Sequence, residues 1–117
     1  MPFSDKNEFS GKRVLVTGGT RGIGEAVVQR FRQGGASVLT TARNAPKSGT
    51  ADGVIEADLS TVDGVKRVVD AAQRQLGGVD ILVHNVGGSS APGGGALALT
   101  DEEWRKELDL NLMPSVR

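Results

Sequence analysis

The residues best suited to chemistry in this chain form a glycine-rich segment between an apolar run and a helix-patterned stretch. The segment reads Thr17, Gly18, Gly19, Thr20, Arg21, Gly22, Ile23, Gly24. Glycine leaves room for a pyrophosphate close to the backbone, and the N–H groups of a following helix attract an anion. The spacing is G-x-x-x-G-x-G, so the flanking strand and helix must support the prediction of a phosphate cradle. A strand-to-helix turn without a ligand is the alternative interpretation.

The end of the second predicted strand indicates which dinucleotide would bind. In dinucleotide-binding sheets this point lies beside the adenosine ribose, where an acidic residue would bind the 2′-hydroxyl. This chain instead carries Arg43 there, and the glycine segment contributes Arg21. Guanidinium groups favour phosphate, so the pattern predicts NADP(H) in preference to NAD(H). The alternative for Arg43 is an ordinary solvated surface cation.

Asp58 and Leu59 follow the third predicted strand. A carboxylate at this position could accept a hydrogen bond from the adenine amino group, with the Leu59 backbone along the ring. The competing interpretation gives Asp58 a local role, because Ser60 and Thr61 follow it at the start of a predicted helix.

Asn85, Val86 and Gly87 follow the fourth predicted strand. Asparagine tolerates unusual backbone angles and can bridge strand ends, and Gly87 would let the ribose and nicotinamide approach. A plain turn is the alternative. The single histidine, His84, is interpreted as a packing residue and is assigned no chemistry.

Short apolar runs predict the strands that would position these residues. They are rich in Val, Ile and Leu and largely continuous, which is typical of parallel strands covered on both faces. The predicted strands cover residues 13–17, 37–41, 53–57 and 79–84.

Helical periodicity fills the intervals between these strands. The apolar positions of the first helix are Ile23, Ala26, Val27 and Phe31, and those of the second are Val65, Val69, Ala72 and Leu76. Glycine pairs at 34–35 and 77–78 predict the helix ends, and Ser60 or Thr61 would cap the second helix.

A third helix is predicted from a capping box formed by Thr100 and Glu103, and it would bury Trp104, Leu108 and Leu112. Pro114 would kink or end this helix, because proline withdraws the N–H that would bond the Leu110 carbonyl. The resulting βαβαβαβα order predicts an α/β fold, the first half of a doubly wound Rossmann-type parallel sheet with strand order 3-2-1-4.

Composition restricts the other functions. The 117 residues include 14 basic and 14 acidic side chains, so no net charge attracts nucleic acid or an anionic membrane. No cysteine is present, which excludes disulfides and zinc–thiolate sites. Without a signal-peptide core or a long apolar span, the expected location is the cytoplasm. Residues 1–11 are expected to be a loose polar lead-in, and residues 12–117 one NAD(P)-binding domain.

With these motifs assembled, the chain resembles the N-terminal half of a short-chain dehydrogenase/reductase. Residues 17–24 match that family's T-G-x-x-x-G-x-G loop, and Asp58-Leu59 match its adenine contact. Residues 84–87 match its N-N-A-G segment with two substitutions, His84 and Val86. The resemblance places Asn111 on the family's active-site helix asparagine, which acts through a water and a catalytic lysine.

The resemblance also implies elements that this sequence does not contain. The family transfers hydride between a nicotinamide and a carbonyl or alcohol, with a tyrosine and lysine managing the proton, and the chain has no tyrosine. We therefore expect an NADP-dependent oxidoreductase truncated before its Tyr-x-x-x-Lys region, acting on a small molecule and homo-oligomeric at full length. The alternatives are a non-catalytic dinucleotide-binding module and a flavodoxin-like phosphate-binding domain.

Overall fold

Alternating strands and helices make up the computed structural model, which describes residues 6–44, 49, 51–85, 87, 94 and 96–117. The strands are β1 (Arg13–Val16), β2 (Ser37–Ala42), β3 (Gly53–Glu56) and β4 (Ile81–Val83). The helices are α1 (Gly22–Gln33), α2 (Val62–Leu76), α3 (Asp101–Asn111) and α4 (Met113–Val116), with a 3₁₀ turn at Ala96–Ala98. Each predicted strand is present, and the largest difference is β4, which is three residues shorter than its predicted range of 79–84.

The four strands form one parallel sheet in the order β3-β2-β1-β4, as the sequence predicted. In the centre of the sheet, Leu15 pairs with Leu39 of β2 and with Leu82 of β4. The strand order reverses at β1, because β2 and β3 lie on one side of it and β4 lies on the other. This reversal creates a crevice at the carboxyl ends of the strands. Open parallel sheets bind their ligands in this position.

Each face of the sheet is covered by a helix. One apolar cluster joins Leu15, Leu39 and Ile55 to Val68 and Ala72 of α2. On the opposite face, α1 covers a second cluster whose valines are fully buried: Val14, Val16, Val28 and Val38. Burial of such a side chain contributes about 1.5–3 kcal/mol, so these two clusters fix the positions of α1 and α2 against the strands.

Most predicted apolar positions of α1 and α2 pack against the two clusters, namely Val27, Phe31, Val65, Ala72 and Leu76, but Ile23 and Val69 do not. Ile23 is 78% exposed, and α1 turns Gly24 and Val28 inward instead. In α2, Val69 is 58% exposed while Val68, Ala71 and Ala72 are buried. Residues three or four apart share a helix face, so the sequence allows either Val68 or Val69 to face the core. The surface against which the helix packs decides which of the two is buried.

The helix ends follow their local signals. Thr61 caps α2 by accepting a hydrogen bond from the Gly64 N–H, and Gly77 ends this helix in the left-handed conformation with φ of 76°. Thr100 and Glu103 form the predicted capping box of α3. The break between α3 and α4 precedes Pro114, in agreement with the predicted kink or end.

The prediction that α3 buries its large apolar side chains is wrong for this chain. Trp104, Leu108 and Leu112 are 44%, 47% and 52% exposed. Within the described residues, the main packing partner of α3 is the short helix α4. The apolar stripe is present in the sequence, but the sheet does not cover it.

The expected loose lead-in is anchored over residues 6–11. Phe9 packs on Phe31 of α1 with ring centroids 4.7 Å apart, and its N–H donates to the Gly34 carbonyl over 2.7 Å. The Arg30 guanidinium lies 5.4 Å from the Phe9 ring centroid and also pairs with Glu8. Ring packing, a backbone hydrogen bond and an ion pair therefore hold this segment against the end of α1.

Candidate functional site

A groove of about 810 Å³ lies at the carboxyl ends of the strands. It collects most residues that the sequence marked as cofactor-binding. Its lining comprises Gly18, Thr20, Arg21, Gly22, Thr41, Ala42, Arg43, Asn44, Ala57, Asp58, Leu59, Ser60, Asn85, Gly87 and Leu110. The predicted site residues Thr17, Ile23, Gly24 and Asn111 are not part of this lining, and Val86 lies outside the described residues.

The glycine loop connects β1 to α1 at one side of the groove. Gly18 and Gly22 have φ angles of 66° and 61°, a region that residues with a side chain adopt only with strain. Arg21 precedes the first turn of α1, and its side chain makes no capping hydrogen bond to that turn. The first N–H groups of α1 therefore face the groove without a side-chain cap, as an anion site requires.

The close helix-to-loop contact depends on Gly24 and not on Gly22. A Cβ on Gly24 would overlap the Gly18 carbonyl oxygen and lie 2.5 Å from Nδ2 of Asn85, whereas a Cβ on Gly22 would meet nothing within 4 Å. Gly19, to which the sequence assigned no role, is equally confined, because a Cβ there would overlap the Thr40 hydroxyl. Gly22 is thus required by its backbone angle, and Gly19 and Gly24 by their neighbours.

Two buried threonines of β2 hold the glycine loop, and sequence reasoning missed both. The Thr40 hydroxyl accepts a hydrogen bond from the Gly19 N–H over 2.7 Å and donates to the Val16 carbonyl over 2.6 Å. The Thr41 hydroxyl accepts from the Gly18 N–H over 3.2 Å. The sequence did contain a signal for this contact, namely two consecutive threonines in an otherwise apolar, buried strand. Buried hydroxyls require hydrogen-bond partners, which indicates a polar contact at this point.

Asn85 connects the end of β4 to the same loop. Its side-chain amide donates to the Gly18 carbonyl over 3.2 Å, and its backbone N–H donates to the Thr17 hydroxyl over 2.9 Å. The Thr17 N–H in turn donates to the Val83 carbonyl over 3.0 Å. Thr17 therefore acts beneath the loop, where it joins the ends of β1 and β4, and not on the surface of the groove.

Arg21 and Arg43 both line the groove, Arg43 directly after β2, and both are exposed. No acidic residue occupies the position of Arg43, and the nearest acid along the groove lining is Asp58 on the neighbouring strand end. This part of the groove therefore presents two cations and one carboxylate to a ligand.

Asp58 has the local role that was one of its two predicted interpretations. Its Oδ1 accepts hydrogen bonds from the Ser60 hydroxyl over 2.6 Å and from the Ser60 N–H over 3.0 Å. These bonds lower the pKa of Asp58 below its ordinary value, the Arg43 charge lowers it further, and burial opposes the change. The carboxylate is therefore ionised where it lines the groove, and a contact to adenine stays a prediction.

Leu59, next in sequence, is 7% exposed and belongs to the apolar cluster under α2. Leu59 also lines the groove, so it belongs both to the core and to the wall of the groove. The position of this wall is consequently fixed by packing.

Asn111 ends α3 beside Gly87. A Cβ on Gly87 would lie 2.8 Å from Oδ1 of Asn111, so a side chain at this position would displace the Asn111 amide. The Asn111 amide donates to the Glu107 carbonyl over 3.0 Å and to the Glu107 carboxylate over 3.3 Å. The segment after β4 and the C-terminal end of α3 thus meet at one point next to the groove.

The part of the chain that the structure describes contains no group of three or more metal-binding side chains. Among the described helices, none has the length and apolar character needed to cross a membrane. The groove is therefore the principal candidate site, built from backbone N–H groups, hydroxyls, two arginines and one carboxylate.

Comparison with known proteins agrees with this geometry. The short chain dehydrogenase family matches residues 12–117. Glucose 1-dehydrogenase of Gluconobacter oxydans is 40% identical over 74% of this chain and 37% of its own length. The 3beta-hydroxysteroid dehydrogenase 1 of Eggerthella lenta is 33% identical over 91% of this chain and 44% of its own length. The chain thus spans less than half the length of these two relatives.

Solved structures show the same fold. A short chain dehydrogenase from Burkholderia cenocepacia in complex with NADP has a TM-score of 0.80 and 32% identity, over 94% of this chain and 49% of its own. The NADH-dependent reductase A1-R′ complexed with NAD has a TM-score of 0.83 and 28% identity, over 97% of this chain and 50% of its own. Chains of this fold therefore bind either dinucleotide.

Proposed function

Because the chain belongs to the short-chain dehydrogenase/reductase family, we propose that it forms the NADP(H)-binding part of an oxidoreductase. The observation that supports this most directly is a groove at the carboxyl ends of the strands. It brings together the glycine loop, Arg43, Asp58 and Asn85 from four different strand ends. The reaction is hydride exchange between the nicotinamide and a carbonyl or alcohol of a small molecule.

The residues present fit a dinucleotide. The N-terminus of α1, which has no side-chain cap, would hold the pyrophosphate with its backbone N–H groups, and the glycine loop would leave room for it. Asp58 and Leu59 would border the adenine, and Asn85 and Gly87 the nicotinamide ribose. The bound cofactor supplies or takes the hydride, while the chain binds, orients and shields it.

The preference for NADP(H) over NAD(H) rests on charge. Arg21 and Arg43 both line the groove, and each can make a charge-assisted hydrogen bond to a 2′-phosphate. An acidic residue that would bind a 2′-hydroxyl is absent from the end of β2. Asp58 opposes this preference with its own negative charge, and its Oδ1 accepts hydrogen bonds from Ser60.

Asn111 is the residue of this chain that we assign to the catalytic region. It lies at the junction of α3 and Gly87, on the side of the groove where the nicotinamide would lie. The sequence contains no tyrosine, so the family's proton donor has to come from residues outside these 117. We further propose that the complete enzyme is a homo-oligomer, as membership of the family implies.

The absence of tyrosine also favours a second candidate, a dinucleotide-binding module without catalysis. Both candidates require the same groove and the same ligand. They differ in turnover, which a proton donor in the transition state normally accelerates.

Calorimetric titration with NADPH and NADH tests the proposal. We expect NADPH to bind more tightly than NADH. Arg43→Ala should lower the affinity for NADPH about tenfold and leave the affinity for NADH almost unchanged. Arg67→Ala, an exposed arginine of α2 that does not line the groove, is the matched control. Equal affinity for both cofactors would contradict the NADP(H) assignment, and binding of neither would contradict the proposed function.

A further inference from the structure

Thr40 is the most buried polar side chain of the chain's described core, with 1% of its surface exposed. Its hydroxyl has two partners of opposite kind. The Gly19 N–H can only donate and the Val16 carbonyl can only accept, so the hydroxyl proton must point toward Val16. The short O···O and N···O distances of 2.6 and 2.7 Å indicate that both bonds are well formed.

These two partners are the groups that a closed turn would join to each other. In a β-turn the carbonyl of the first residue accepts a hydrogen bond from the N–H of the fourth. Val16 and Gly19 stand in that relation, and the Thr40 hydroxyl bridges the two groups. The hydroxyl is thereby inserted into the turn that leads from β1 into the glycine loop.

The surroundings leave the loop little freedom to move at Gly19. A Cβ at this position would overlap the Thr40 hydroxyl and lie 2.7 Å from a methyl group of Val28 in α1. Gly18, the neighbour of Gly19, lines the groove and donates its own N–H to Thr41. A displacement of Gly19 would therefore be transmitted to the surface that faces the ligand.

We infer that the Thr40 hydroxyl is a positioning group that keeps the glycine loop open for a pyrophosphate. This inference rests on the proposed function, because it concerns the loop that would bind the dinucleotide. Without the hydroxyl, the Val16 carbonyl and the Gly19 N–H lose their shared partner inside the protein. The loop is then no longer held in its ligand-binding shape.

Thr40→Val and Thr40→Ser test the inference, since valine keeps the shape of threonine without the hydroxyl and serine keeps the hydroxyl. NADPH affinity is measured by calorimetry on the 117-residue chain. We expect Thr40→Val to weaken NADPH binding about tenfold or more, and Thr40→Ser to weaken it less than about threefold. Thr100→Val, which removes the cap of α3 far from the groove lining, controls for general destabilisation and should bind normally.

Amide hydrogen exchange of the ligand-free chain supplies the second measurement. We expect Thr40→Val to accelerate exchange of the Gly19 amide while the amides of Leu15 and Leu39 keep their protection. Uniform loss of protection across the sheet would indicate a merely structural role and overturn the inference. Thr40→Ser remains decisive if Thr40→Val does not fold, because the inference requires it to keep both NADPH binding and Gly19 protection.

The outcomes separate the two proposals. If the wild-type chain and Thr40→Val bind NADPH with equal affinity, the positioning role fails while the proposed function stands. If the wild-type chain binds neither NADPH nor NADH, the proposed function fails and the positioning role fails with it.

Discussion

The side-chain amide of Asn85 donates a hydrogen bond to the carbonyl of Gly18 over 3.2 Å, across 67 positions of sequence. A Cβ on Gly24 would intrude on this same pair. The end of β4, the glycine loop and the first turn of α1 therefore meet at a single junction. This junction borders the groove, because Gly18 and Asn85 both line it.

Substitutions of Asn85 should affect this junction in graded fashion. Asn85→Ala removes one hydrogen bond and should lower the free energy of unfolding by about 1 kcal/mol. Asn85→Asp replaces the donor by an oxygen that faces the Gly18 carbonyl, and it adds negative charge where an anionic ligand would bind. We therefore expect Asn85→Asp to weaken NADPH binding more than Asn85→Ala. Urea unfolding measures the change in stability, and calorimetry measures the change in NADPH affinity. The opposite order of affinities would contradict the described contact.

Alanine at Gly24 and at Gly22 should have different costs. At Gly24 the new Cβ overlaps the Gly18 carbonyl, and overpacking against backbone should cost about 3 kcal/mol. At Gly22 the Cβ meets nothing, so only the left-handed φ of 61° opposes it, at about 1 kcal/mol. Urea unfolding of the two variants measures the difference. Equal losses of stability would show that the helix does not approach the loop at Gly24.

Stability should depend on the Arg13–Asp80 pair at low pH. Asp80 accepts hydrogen bonds from the side chain and the N–H of Arg13, which lower its pKa to about 2. An unfolded aspartate has a pKa of about 3.9, so the pair's contribution is complete above that value and is lost as pH falls through 2. Urea midpoints of wild type and Asp80→Asn should therefore differ at pH 7 and approach each other as pH falls through 2. Arg13→Gln should show the same convergence, and a separation at pH 2 as large as that at pH 7 would disprove the linkage.

The isolated chain should not reduce carbonyl compounds with NADPH. Hydride transfer to a ketone develops negative charge on oxygen, and a positioned acid typically contributes about 10²–10⁴-fold in rate. The chain has no tyrosine to act as this acid. An assay of NADPH absorbance against a panel of aldehydes and ketones measures the rate, with Arg43→Ala as the control for contaminating enzymes. Turnover that Arg43→Ala abolishes would show that the 117 residues catalyse the reaction alone.

The edge strand β4 should promote association. Within the described residues β4 pairs only with β1, and Leu82 on this strand is 49% exposed. Unpaired strand edges bind further strands, and a charged side chain opposes this. We expect sedimentation to detect dimers or larger species of the wild-type chain and fewer of Leu82→Lys. A monomeric wild-type chain at high concentration, with protected amides along 81–83, would contradict the prediction.

Local sequence patterns were sufficient for the elements and their order. Runs of apolar residues located the four strands, and right-handed crossovers gave the order 3-2-1-4. Thr100 marked one helix start, and Ser60 or Thr61 marked another, which the structure places at Thr61. These signals act within a few residues of one another or follow from chain chirality. Glycine spacing likewise located the loop that lies on the groove.

Other features were decided by contacts between distant parts of the chain. The sequence could not show that Trp104 and Leu108 stay half exposed, because an apolar stripe does not reveal what covers it. It also gave no role to Phe9, which is fixed only by its packing on α1.

The sequence by itself thus determined which segments form strands and helices and that a glycine loop lies between β1 and α1. Tertiary structure decided how that loop is held, through Thr40, Thr41 and Asn85, which are 21 to 67 positions away from their partners in the loop. Helix and strand propensities are local, whereas a buried hydroxyl or amide finds its partner only after the sheet has assembled. The shape of the candidate site therefore depends on contacts that no short-range pattern contains.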